Sequence, residues 1–141
     1  MSRVFVDTSA ACALLDAGDS AHGRARSAFE RLRRREALLV TTSYVLVETF
    51  ALVTRRLGRA ALSGFREDFA PLLEVVWVDA AIHEGALDFL FERRKSSLSL
   101  VDAASFVTMR RGRIDDAFAI DRQFDEEGLD SRRDAARRVT W

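Results

Sequence analysis

A three-layer α/β/α sandwich around a mainly parallel central sheet of four to five strands is the fold this sequence predicts. Three observations carry that expectation. Short β-branched or aromatic runs alternate along the chain with longer segments of helical period. One of those runs, "LEVVWVD", is close to continuously apolar, as a parallel strand covered on both faces is. The 141 residues, 48% of them hydrophobic, suit one domain with a real core, and no linker, repeat or low-complexity stretch divides residues 1–141.

The elements follow in order. "RVFVD" reads as a first strand that delivers Asp7 at its C-terminal end, and a helix follows through "SAACALLDAG" to a stop near Gly18. In "SAHGRARSAFERLRRRE" Ala21, Ala25, Ala28, Phe29 and Leu32 fall at helical spacing, with arginines on the other face. "ALLVTT" is a second strand, after which Thr42 or Ser43 supplies the N-cap of a helix that ends around "RRLG", with Gly58 past its cationic last turn. A further helix runs to Pro71, the only proline, and "LEVVWVD" is the third strand. "AAIHEGALDFLFERRK" and "SLVDAASFVTMRRG" are helices, "DDAFAID" is a short fourth strand, and "RRVTW" is a candidate edge strand.

Charge narrows the function little, because lysine plus arginine and aspartate plus glutamate both total 22. Lys95 is the only lysine, and guanidinium groups suit bidentate phosphate contacts better than ammonium groups do. Cys12 stands alone, which excludes an intrachain disulfide and fits a reducing compartment. The start "MSRVFVDTSA" has no apolar secretory core, and no uncharged apolar run approaches a membrane span, so the expectation is a soluble cytoplasmic protein.

Four acids hold the chemistry. Asp7 and Asp121 each end a strand and precede a helix, where a capping role explains them cheaply. Ser99 and Asp102 fit the capping-box pattern that opens a helix. Glu48 is different: in "SYVLVETFALV" it sits several residues inside its helix with Tyr44, Ala51 and Leu52 as helical neighbours, and nearly all of that helix is apolar. A buried lone ionised carboxylate costs several kcal/mol, so it is neutralised, paired with an arginine or bound to a cation. Ligands of an open parallel sheet gather beyond the carboxyl ends of its strands. If the helices carrying Glu48 and Asp102 begin at that edge, four carboxylates converge there and repel one another unless a hard divalent ion joins them. Neither His22 nor His83 lies near these acids in sequence, and Cys12 has no companion, which disfavours zinc.

With Asp7, Glu48, Asp102 and Asp121 in order, on "VFVDTSA", "TTSYVLVETFALVTRRLG", "LSLVDAASFVTMRRG" and "AFAIDRQFDEEG", the chain resembles PIN-domain proteins, and more narrowly the VapC-type toxins of bacterial toxin–antitoxin pairs. The resemblance covers nearly the whole chain. It implies an endoribonuclease whose acids hold one or two Mg²⁺ or Mn²⁺ ions, with Asp7, Glu48 and Asp102 matching the family's three most typical acids and Asp121 the fourth. Asp125 and, more distantly, Asp116 are alternatives to Asp121, and Ile120 stands where the family often has a hydroxyl residue. Thr8 and Ser9 complete the "DTS" motif as candidate hydrogen-bond partners of the site. The resemblance also implies a small antitoxin partner and a homodimer.

The expected reaction is hydrolysis of RNA phosphodiesters by carboxylate-held metal ions, with no side-chain nucleophile. A rim of positive charge is expected from Arg24, Arg26, Arg31, Arg33, Arg34 and Arg35, or from Arg110, Arg111 and Arg113. Two other classes compete. One is an inactive PIN-like module that binds RNA or protein, which metal titration distinguishes. The other is an aspartyl-phosphate phosphotransferase, disfavoured because Ser9 stands where that chemistry wants a second acid.

Overall fold

The computed structural model describes residues 2–93, 97–120 and 137–138. Its strands are β1 (Arg3–Val6), β2 (Leu38–Thr42), β3 (Leu73–Val76), β4 (Asp116–Phe118) and β5 (Arg137–Arg138). Between them lie α1 (Thr8–Leu15), α2 (His22–Arg34), α3 (Ser43–Arg56), α4 (Arg59–Gly64), α5 (Ala80–Glu92) and α6 (Leu100–Gly112). The five strands form one sheet in the order β3-β2-β1-β4-β5, and each pairing is parallel. That agrees with the expected sandwich.

Side-chain alternation along the strands builds a core on each face of the sheet. Phe5, Val40, Ala117 and Ala119 point into one core with Ala86, Phe89, Ala103 and Val107 of α5 and α6. Val4, Val6, Leu39 and Phe118 point into the other with Ala10, Ala25, Ala28 and Leu32 of α1 and α2. On that second face, the chain after α4 passes through one wide π turn (Phe65–Phe69) and a short 3₁₀ turn (Ala70–Leu72) holding Pro71. Phe65 packs against both Phe50 and Phe69, with ring centroids 4.9 and 5.7 Å apart. The single helix expected up to Pro71 is therefore broken into three pieces, the outcome expected near a residue that cannot continue a helix.

Two expectations change. β3 is an edge strand with Glu74 exposed and its other residues only half-buried, so its apolar run does not reflect cover on both faces. Nor is α3 a fully buried helix: Val47 is 69% exposed and Glu48 half-buried, while Val45, Thr49 and Val53 are buried. The helix lies at the sheet's margin, with Val45 in one core and Leu46 and Phe50 against the other.

Strand order also fixes where a site forms. From β1 the chain moves outward to β2 and β3, and then returns across β1 to place β4 on its other side. The crevice beyond the carboxyl ends of β1 and β4 is the switch point at which ligands bind in open parallel sheets.

Candidate active site

Asp7 leaves β1 at that switch point. Its backbone N–H donates to the Phe118 carbonyl at 3.0 Å, continuing the β1–β4 pairing by one residue. The backbone then turns into α1, and the Asp7 carboxylate caps it: Oδ2 accepts from the Ser9 N–H at 3.3 Å and from the Ser9 hydroxyl at 2.7 Å. The same Ser9 hydroxyl accepts from the Ile120 N–H at 2.9 Å, so one side chain ties the Asp7 carboxylate to the end of β4. This is the structural content of the "DTS" motif.

Glu48 and Asp102 come from α3 and α6. Thr42 caps α3, its hydroxyl accepting from the Val45 N–H at 3.1 Å, which starts that helix directly off the carboxyl end of β2. Ser99 and Asp102 form the expected capping box of α6, with the Asp102 N–H donating to Ser99 Oγ and the Ser99 N–H to Asp102 Oδ2, both at 3.1 Å. Asp7, Glu48 and Asp102 all line one open hollow of about 310 Å³ at the sheet's carboxyl edge. For Asp7 and Asp102 the cap and the site are the same carboxylate, so the two readings of each were never exclusive.

Burial, at 3% exposure, pushes the Asp7 carboxyl up to about 6, with Asp102 adding to the rise and the Ser9 hydroxyl and backbone N–H groups opposing it. Cys12, half-buried in the same hollow, has its thiol pushed up chiefly by burial, while Arg56 acts in the other direction.

Three observations fit a hard divalent cation here. The donors are carboxylates and hydroxyls, which such ions prefer. Asp7 and Asp102 stand close enough for each charge to disfavour the other, a cost a cation removes. The Thr8 hydroxyl is buried on the wall of the hollow with no hydrogen-bond partner among the described residues. Among those residues no three potential ligands form a ready-made metal cage, so Asp7 and Asp102 make a coupled pair with Glu48 on the α3 wall.

The remaining candidates divide. Asp121 and Asp125 lie outside the described residues. Asp116 does not line the hollow, because it pairs with Val4 three residues upstream of Asp7 and so lies toward the amino end of the sheet. Both histidines have partners away from the hollow: His22 Nδ1 bonds the Ala13 carbonyl at 2.8 Å and His83 Nδ1 the Tyr44 hydroxyl at 2.6 Å. The arginines of α2 are absent from the walls, while Arg110 and Arg113 line a different hollow beside Asp115. Sequence reasoning missed Arg56, Leu52 and Asp19, which do line the site. Leu52 and Arg56 were findable, since they follow Glu48 at successive intervals of four on one helix.

A PIN-domain profile matches residues 4–127. The 23S rRNA-specific endonuclease VapC20 of Mycobacterium tuberculosis, in strains CDC 1551 and H37Rv, is 36% identical over 127 residues, covering 89% of this chain and 95% of the relative. The crystal structure of that protein, described as a Sarcin-Ricin loop cleaving toxin, superposes with a TM-score of 0.78 and 35% identity over 89% of this chain and 95% of its own. DNA-bound VapBC of Salmonella typhimurium shares the fold, with a TM-score of 0.63 at 17% identity over 98% of this chain and 97% of that one.

Proposed function

The chain belongs to the PIN-domain family, and on that premise we propose that it is a divalent-metal-dependent endoribonuclease of the VapC toxin type whose target is 23S ribosomal RNA. The observation that carries the reading is the meeting of Asp7, Glu48 and Asp102 in one hollow at the switch point, in a chain so similar to an rRNA endonuclease.

Asp7 and Asp102 would hold the ion, which we take to be Mg²⁺ or Mn²⁺. When bound, such an ion would supply charge neutralisation at the phosphate and lower the pKa of a water, so that it gives up a proton and attacks as hydroxide. Ser9 and Ser99 fix the Oδ2 atoms of the two aspartates before any ligand arrives, so neither carboxylate must be reordered on binding. Glu48, on α3, completes the ligand set or accepts a hydrogen bond from the attacking water, and Asp121, in "AFAIDRQ", is the fourth acid of the proposal. Asp7 must lose its proton to bind the ion, which its raised pKa makes a pH-dependent step.

A cognate antitoxin and a homodimer complete the proposal. Val47 on α3 and Phe91 on α5, 69% and 77% exposed, offer apolar surface for such contacts.

The test is incubation of purified protein with 23S rRNA, with Mg²⁺, with Mn²⁺ and with chelator, beside the Glu48→Gln protein. Metal-dependent scission by wild type and a loss of at least about a hundredfold in the variant are expected. Equal cutting by both proteins would remove Glu48 from the site, and metal-independent cutting would sink the mechanism.

A further inference from the structure

We propose that Arg56 is a substrate-binding residue of the same hollow, taking an RNA backbone phosphate beside the one that is cut; this rests on the ribonuclease reading above. Among the described residues, Arg56 is the one cation on walls otherwise charged by Asp7, Asp19, Glu48 and Asp102. Glu48, Leu52 and Arg56 form a ridge of α3, each one turn and a fraction beyond the last. Eight residues of helix place Arg56 about 12 Å from Glu48 along the axis, and a helical side chain leans back toward the N-terminus, here toward Glu48. An RNA strand that presents one phosphate to the acids therefore carries a neighbouring phosphate over Leu52 to the guanidinium.

The side chain is exposed and makes no ion pair with any described residue. Its charge is nonetheless felt inside the hollow, where it favours the thiolate of Cys12. The plain explanation of a last-turn arginine is that it complements the helix dipole. Arg55 shares that position and exposure without lining the hollow, so it separates the two accounts. A guanidinium grips phosphate bidentately and reads no base, so Arg56 sets the register of the strand while its sequence is read elsewhere.

The experiment compares wild type, Arg56→Gln, Arg56→Lys and Arg55→Gln. Affinity for a fluorescent hairpin of 23S rRNA is measured in chelator, where it is bound and not cut, between about 50 and 200 mM salt. Steady-state cleavage with Mg²⁺ follows. Arg56→Gln is expected to raise Kd and KM about tenfold, to leave kcat within about twofold, and to reduce the log–log salt slope by about 1. Arg56→Lys recovers part of the affinity, and Arg55→Gln matches wild type. Wild-type affinity and salt slope in Arg56→Gln overturn the proposal, as does a shared fall in Tm for Arg56→Gln and Asp19→Asn with RNA binding intact, which would make Arg56 a brace across the hollow. If wild type binds but nothing cuts, the Arg56 contact stands on its Kd values and the nuclease reading fails. If wild type neither binds nor cuts, both fail.

Discussion

Asp7 caps α1 and faces the hollow, and its burial holds a proton on it up to a pH of about 6. The folded chain therefore binds more protons than the unfolded chain between about pH 4 and 6, and stability without metal falls as pH rises through that window. A rise from 3.8 to about 6 corresponds to about 3 kcal/mol. Asn caps helices as well as Asp does, so Asp7→Asn should stabilise the metal-free protein by about 2–3 kcal/mol at pH 7 and by almost nothing at pH 4. Urea unfolding at the two pH values measures it, and a destabilised variant at pH 7 would contradict the burial argument. Because the proton must leave before an ion binds, affinity for Mn²⁺ should weaken about tenfold per pH unit below about 6, readable by calorimetry. Asp7 and Asp102 were legible as candidates because each has a fixed place at a strand end or in a capping box. Glu48 was legible for an inexact reason: it is half-buried on a helix with an exposed Val47, so the lone carboxylate in an apolar run marked a site edge rather than a deep interior.

Helix starts, more than helix interiors, assemble this site. α1, α3 and α6 begin with Asp7, Thr42 and Ser99 as caps; the first is itself one of the proposed ligands, and the last holds another, Asp102. Ser99→Ala removes the hydroxyl half of the capping box, and with it the 3.0 Å bond from Ser99 Oγ to Asp102 Oδ2, while the backbone N–H bond to that oxygen stays. It should cost about 1 kcal/mol in denaturant unfolding and lower cleavage more than that loss explains, while Ser99→Thr retains both properties. Normal cleavage by a destabilised Ser99→Ala protein would show that Asp102 needs no such hold. These boundaries were readable from sequence because capping is a local interaction. The misreadings were of environment: β3 is apolar yet lies at the edge, and the segment before Pro71 is helical in composition yet breaks into a π and a 3₁₀ turn. Composition reports what a segment is able to bury, and its neighbours decide what is buried.

Across the whole molecule, the two cores hold β1 and β4 side by side, and that adjacency is what creates the crevice. Phe118 is fully buried in β4, two residues before Ile120, which lines the hollow. Phe118→Ala should cost about 3–5 kcal/mol and loosen the site with the sheet. Retained stability would mean that β4 is not held by this core. Metal acts at the same scale by mass action: an ion at a hundred times its Kd should add about 2.7 kcal/mol to the wild type and raise Tm by several degrees. Chelator should reverse that rise, and Asp102→Asn should abolish most of it; an equal rise in the variant would place the ion elsewhere.

By itself the sequence determined the alternation of strands and helices, the helix caps and the candidate acids Asp7, Glu48 and Asp102, because period, capping and charge type are set within a few residues. The tertiary structure alone decided that β4 lies beside β1, which brings Asp102 near Asp7, excludes Asp116 and leaves the α2 arginines outside while admitting Arg56. The reason is physical: those relations depend on strand order and on which face each helix turns to the sheet, and both are fixed by packing between residues far apart in the chain.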